Sequence, residues 1–187
     1  MKRIALSLSL FLGIALSSFA QYVVTPVGLK TTQADEKDYY VIEVPNLSQA
    51  ELYSKTIKFI STVYNSPKDV ISGQIENELL TITGLETIFA DFDVRYKLNF
   101  QFKEGRVRYD MPQIISMRKF QDGKELNLTF SKQKPSLNTV WIFNDKGEVR
   151  GMLIPEYKKD LEKLFNSLYN AYETFIKGEE TKEEEEW

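Results

Sequence analysis

The clearest pattern in the chain lies at residues 94–102, where Val94, Tyr96, Leu98, Phe100 and Phe102 alternate with Arg95, Lys97, Asn99 and Gln101. A period of two puts one set on each face of a strand, so this segment reads as a half-buried β-strand with one apolar and one polar side. Glu104-Gly105 fits a two-residue turn, and residues 106–111 begin the return strand. That turn sets the register. Phe102 faces Val107 and Phe100 faces Tyr109 on the core side, while Lys103 faces Arg106 and Gln101 faces Arg108 on the polar side.

Two other stretches switch to a helical period. Ser48 with Glu51 three residues on forms a capping box, and Leu47 is placed to staple onto Leu52. From there Leu52, Thr56, Phe59, Ile60 and Val63 mark one face of an amphipathic helix that Asn65-Ser66-Pro67 ends. Beyond Pro155, the residues Leu161, Leu164, Phe165, Leu168, Tyr172, Phe175 and Ile176 form a broad stripe that Gly178 closes. Short strands are expected at residues 39–44, 70–76 and 79–83, with Glu76-Asn77-Glu78 turning between the last two. Residues 118–150 carry turn signals at Asp122-Gly123 and Asp145-Lys146-Gly147 around runs at 126–130 and 139–143, and read as a β-rich elaboration made of further hairpins. Residues 21–37 show no sustained period and read as an adaptor. Strand, helix, antiparallel strands and helix, with the helices on one face of the sheet, make a single α+β domain over residues 38–178.

The two ends read differently. Met1-Lys2-Arg3, the apolar residues 4–16 and Ser18-Phe19-Ala20 compose a secretory leader with cleavage before Gln21. The apolar run falls short of the roughly 20 residues a membrane span needs. With no cysteine to carry a lipid, the expected product is exported, periplasmic or secreted, and has no membrane anchor. Residues 179–187 are a glutamate-rich tail expected to be solvated and disordered.

Composition then removes function classes. The chain contains neither histidine nor cysteine, which takes away the usual general base near neutral pH, the thiolate nucleophile and the preferred transition-metal ligands. No cofactor or metal is implied. Asn144-Asp145-Lys146-Gly147-Glu148 is rich in oxygen but lacks the spacing of a calcium loop, so it reads as a hairpin turn. With the leader and acidic tail set aside the charges balance, which argues against nucleic acid as a partner.

The helix from Glu51-Leu52-Tyr53, the pair Val70-Ile71 and above all the hairpin Phe102-Lys103-Glu104-Gly105-Arg106-Val107-Arg108-Tyr109 carry a family likeness. Over residues 47–117 the chain resembles a bacterial family of exported proteins, a domain of unknown function with a TATA-binding-protein-like (TBP-like) fold. The resemblance implies one strand, a helix, four antiparallel strands and a closing helix. It brings no activity and no catalytic residue, because fold does not fix function.

The residues that remain as a candidate site are Arg95, Lys97, Lys103, Arg106 and Arg108, on the polar face of the hairpin. Lys103 opposite Arg106 is a like-charge pair, unfavourable unless something negative sits beside it. Such a face can accept a carboxylate, sulfate, phosphate or acidic partner. The competing account is that Asp93, Glu104 and Asp110 neutralise it and leave it merely hydrated. The expected function is therefore a non-enzymatic binding or interaction module of the bacterial envelope, with a protein, peptide or small anionic ligand as partner. The alternatives are a structural envelope component and a hydrolase acting on an envelope polymer through two carboxylates, although no spacing selects a pair.

Overall fold

The computed structural model describes residues 22–33, 35, 37–131, 138–151 and 154–178. The leader expected at 1–20 and the acidic tail at 179–187 lie outside them. The strands are β1 (Tyr22–Thr25), β2 (Gly28–Thr31), β3 (Tyr39–Glu43), β4 (Ile71–Ile75), β5 (Leu79–Ile88), β6 (Phe92–Lys103), β7 (Arg106–Asp110), β8 (Gln113–Gln121), β9 (Lys124–Ser131) and β10 (Thr139–Phe143). The helices are α1 (Gln49–Val63), the single turn α2 (Pro67–Val70) and α3 (Ile154–Lys177).

β6 is the spine. Its alternation buries Phe92, Val94, Tyr96, Leu98, Phe100 and Phe102 and leaves the intervening side chains on the opposite face. β5 pairs with it along its whole length, from Leu79↔Gln101 to Ile88↔Phe92. Its other edge is shared. β7 takes the end from Phe100 to Lys103, and β8 takes the end from Asp93 to Lys97. The break between them falls at Met111-Pro112, where proline has no N–H to give a ladder. Freed from β8, β7 pairs on its far side with β3.

The hairpin register expected from the alternation is the observed one: Phe100↔Tyr109, Gln101↔Arg108, Phe102↔Val107 and Lys103↔Arg106. Gly105 takes φ 68°, and a Cβ there would stand 3.2 Å from the Pro45 Cα, so the tip is closed by a residue without a side chain. The Gly105 N–H donates to the Leu47 carbonyl at 3.0 Å, and the Val44 N–H donates to the Gly105 carbonyl at 2.7 Å. The hairpin tip is thus bound to the entry of α1. There the capping box forms as read, Ser48 accepting from the Glu51 N–H and Glu51 from the Ser48 N–H.

α1 and α3 lie on the apolar face. Tyr96 meets Phe165 edge-on at 5.3 Å between ring centroids, Phe100 meets Tyr172 at 4.8 Å and Tyr109 meets Tyr169 at 5.1 Å. The helices join each other through a 2.8 Å contact between the Thr56 and Tyr172 hydroxyls, and Lys55 donates to the Ile176 carbonyl at the end of α3.

Three expectations need correcting. Residues 22–31 are an antiparallel hairpin, β1 with β2, and no mere adaptor; Tyr22, Val24 and Leu29 are buried. Four-residue strands are too short to show a period, and this pair is held from afar: Asn166 on α3 accepts from the Tyr22 N–H and donates to its carbonyl, and Glu162 accepts from the Val24 N–H. The strand expected at 70–76 is preceded by the turn α2, because Pro67 favours a helical start. Within the elaboration β8 and β9 form a hairpin across Asp122-Gly123, whose φ values of 51° and 72° make a tight primed turn, and the turn read at Asn144–Glu148 does fold the chain back, bridging Phe143 antiparallel to Val149. β10 then joins β9 in parallel rather than as a second hairpin, since the composition of a short strand does not fix its direction.

Candidate functional site

With α1 and α3 on one side, the other side of the sheet presents bare side chains. Alternation fixes which ones: from β3 Tyr39, Val41 and Glu43, from β7 Arg106, Arg108 and Asp110, and from β6 Asp93, Arg95, Lys97, Asn99, Gln101 and Lys103. The five cations read from the sequence therefore share one face. They do not share one site.

Lys103, Arg106 and Arg108 line a shallow hollow of about 200 Å³ together with Tyr39, Val41 and Gln101. Arg95 and Lys97 sit farther along β6, in register with Leu85 and Thr83 on β5, and do not line it. Within the hollow Arg108 is held on two sides. Its Nε donates to the Asp110 carboxylate at 2.6 Å, and its guanidinium lies 4.0 Å from the centroid of the Tyr39 ring. Asp110 is itself fixed by Asn99 at 3.3 Å and Gln101 at 3.4 Å, and Thr81 donates to Asn99 at 2.9 Å. This chain of polar contacts across three strands aims the free end of the guanidinium at the hollow.

Of the three acids expected to neutralise the face, only Asp110 does so here. Glu104 turns away and accepts from the Gln49 N–H at the start of α1, at 3.2 Å. Asp93 lies at the far end of β6 and accepts from the Thr87 hydroxyl. Glu43 stands in register with Arg106. Even so, among the described residues neither Lys103 nor Arg106 has a carboxylate within 4.0 Å. The arrangement is one oriented guanidinium, two cations without counter-ions, an aromatic wall and Val41 between them. That set suits an anionic group carried on something with an apolar portion.

Sequence reasoning missed Tyr39 and Val41. They alternate with the buried Tyr40 and Ile42, so their outward face was readable, but that β3 lies against β7 was not.

A second hollow, of about 450 Å³, lies on the helix side between β5, the end of α1 and α3, and includes Glu86, Asp160 and Leu168. Burial pushes the Glu86 carboxyl above the ordinary glutamate range. Asp160 accepts from the Phe89 N–H at 3.0 Å. Among the described residues no cluster of three potential metal ligands occurs, and no helix is long and apolar enough to cross a membrane.

Residues 39–115 match the family model described as "Domain of unknown function (DUF4468) with TBP-like fold". A crystal structure of a DUF4468 family protein from Bacteroides ovatus is 12% identical and superposes with a TM-score of 0.53, over 74% of this chain and 84% of that one. A crystal structure of a TBP-like protein from Parabacteroides distasonis, also 12% identical, aligns with a TM-score of 0.48 over 72% of this chain and 90% of that one. No curated protein matches the chain. At such identity the likeness to the Bacteroides protein shows the fold, an α+β domain of TBP-like form, and nothing about activity.

Proposed function

Since residues 39–115 match the DUF4468 family model, whose description carries a fold and no chemistry, we propose that the chain is an exported, non-enzymatic binding module that takes an anionic partner on its open sheet face. The observation that carries this reading is the fixed Arg108 beside Lys103 and Arg106, neither of which has a carboxylate within 4.0 Å among the described residues. Keeping like charges together costs stability, and a bound carboxylate, sulfate or acidic side chain offsets that cost. Nucleic acid is a poor fit: Asp93, Glu43 and Asp110 interrupt the cations, where a phosphate backbone needs a continuous basic track.

The test is a titration of the protein with sulfate and with a short acidic peptide, followed by amide chemical shifts. Shifts should move at Gln101, Lys103, Arg106 and Arg108, weaken as salt is added, and vanish when Arg106→Gln and Arg108→Gln are combined. Shifts unchanged by the double substitution would sink the proposal. The carboxylate hydrolase ranks below it. Glu86 and Asp160 line one hollow, but Asp160 is already engaged in holding the turn after β5.

A further inference from the structure

β4 is half the length of β5. Its pairing begins at Ile71↔Ile82, so beyond that point the edge of β5 away from β6 has no strand beside it among the described residues. Residues 84–88 are therefore a sheet edge whose outward N–H and C=O groups are open to another extended chain. This edge is also one wall of the second hollow. Glu86 and Ile88 point to the helix side, and the opposite wall is Val63 from α1 with Leu164 and Leu168 from α3.

Three features bear on what fits there. The apolar wall is unfilled: Val63 is 43% exposed, and Leu164 and Leu168 are only partly buried. Glu86 is half-buried and, among the described residues, has no ion-pair or hydrogen-bond partner, while Asp160 and Lys163 line the same hollow. Burial holds the Glu86 carboxyl above its usual range, a cost that a cation brought against it would reverse. Finally, the turn that ends this edge is strained, with Ala90 (φ 56°, ψ 36°) and Asp91 (φ 60°) both left-handed. It is tied in place by Asp160 on the Phe89 N–H and by Lys119 on the Ala90 carbonyl.

We propose that this groove receives an extended peptide segment, which pairs with the free edge of β5, sets an apolar side chain against Val63 and Leu168, and brings a lysine or arginine to Glu86. Main-chain pairing supplies affinity, and the alternate side chains that enter the hollow supply specificity. The charge it selects is opposite to that expected on the outer face, so the two sites discriminate between partners independently.

The probes are synthetic peptides of alternating threonine and valine with one central lysine, the same peptide with glutamate at that position, and the lysine peptide N-methylated at alternate residues. Binding is read by fluorescence anisotropy on the full chain and mapped by amide shifts. The lysine peptide should bind, with shifts at residues 84–88, and the glutamate and N-methylated peptides should bind at least about tenfold more weakly. Glu86→Lys should reverse the preference between lysine and glutamate, and Arg106→Gln with Arg108→Gln should leave it unchanged. Three results would overturn the proposal: equal binding of the lysine and glutamate peptides, no loss on N-methylation, or no binding with sedimentation showing that the edge instead pairs with a second copy. If the unsubstituted chain bound no anion on the outer face while peptide binding at residues 84–88 held, only the anion-binding reading of the outer face would fall.

Discussion

Gly84 illustrates how much a single position depends on its neighbour across the ladder. It pairs with Tyr96, whose ring lies over it so closely that a Cβ would stand 2.3 Å from Cζ and 2.5 Å from the hydroxyl oxygen. That hydroxyl is 2.7 Å from the hydroxyl of Tyr64, so moving the ring also breaks the contact that joins β6 to the end of α1. Gly84→Ala should destabilise the fold by about 1–3 kcal/mol, as overpacked cores do, measured as a lower urea midpoint. Ala90 is the reverse case. Its left-handed backbone costs an L-residue about 1–2 kcal/mol that glycine avoids, so Ala90→Gly should raise the same midpoint in spite of added chain entropy. Neither residue announces itself in the sequence: a glycine within a strand and an alanine before an aspartate are both ordinary until the partner strand and turn geometry are known.

Elements were legible where their signals were local. The capping box of α1, the alternation of β6 and the turn after Lys103 each sit within a few residues of what they specify, and the observed register follows from them. The same alternation placed Arg95, Lys97, Lys103, Arg106 and Arg108 on one face. It could not separate the three that line the hollow from the two that do not, because the division is made by β3, which arrives from more than sixty positions earlier in the chain. Likewise the β1–β2 hairpin is stabilised by Glu162 and Asn166 on the last helix, and the direction of β10 by pairing with β9. The junction of hairpin tip and α1 allows an element-scale prediction. Ser48→Ala should cost about 1 kcal/mol by loss of its cap. Glu104→Ala should also destabilise, by less, because a carboxylate at the helix start is exposed and screened. Combined, the two losses should fall short of or exceed their sum, since Ser48 serves the Glu51 N–H and Glu104 the Gln49 N–H in the first turn of the same helix; strict additivity in a double-mutant cycle would mean that the tip and the cap act separately.

At the scale of the whole molecule the core is distinctive for its phenols. Tyr22, Tyr40, Tyr109, Tyr169 and Tyr172 run in edge and tilted contacts from the N-terminal hairpin through β3 and β7 to α3, so one aromatic seam joins the first element to the last. Burial pushes the hydroxyls of Tyr22, Tyr96, Tyr109, Tyr169 and Tyr172 above the ordinary tyrosine range. In the unfolded chain these phenols release protons near pH 10, whereas in the folded chain they hold them. Above that value the unfolded state therefore binds fewer protons, and stability must fall as pH rises, by about 1.4 kcal/mol per pH unit for each such group. The chain has no histidine, so nothing of that kind contributes near neutrality. Following phenolate absorbance near 295 nm together with far-ultraviolet circular dichroism should show the main rise in absorbance coinciding with loss of structure. A full phenolate signal on an intact fold would mean that the seam admits hydroxide, and that the aromatic core is looser than its ring contacts require.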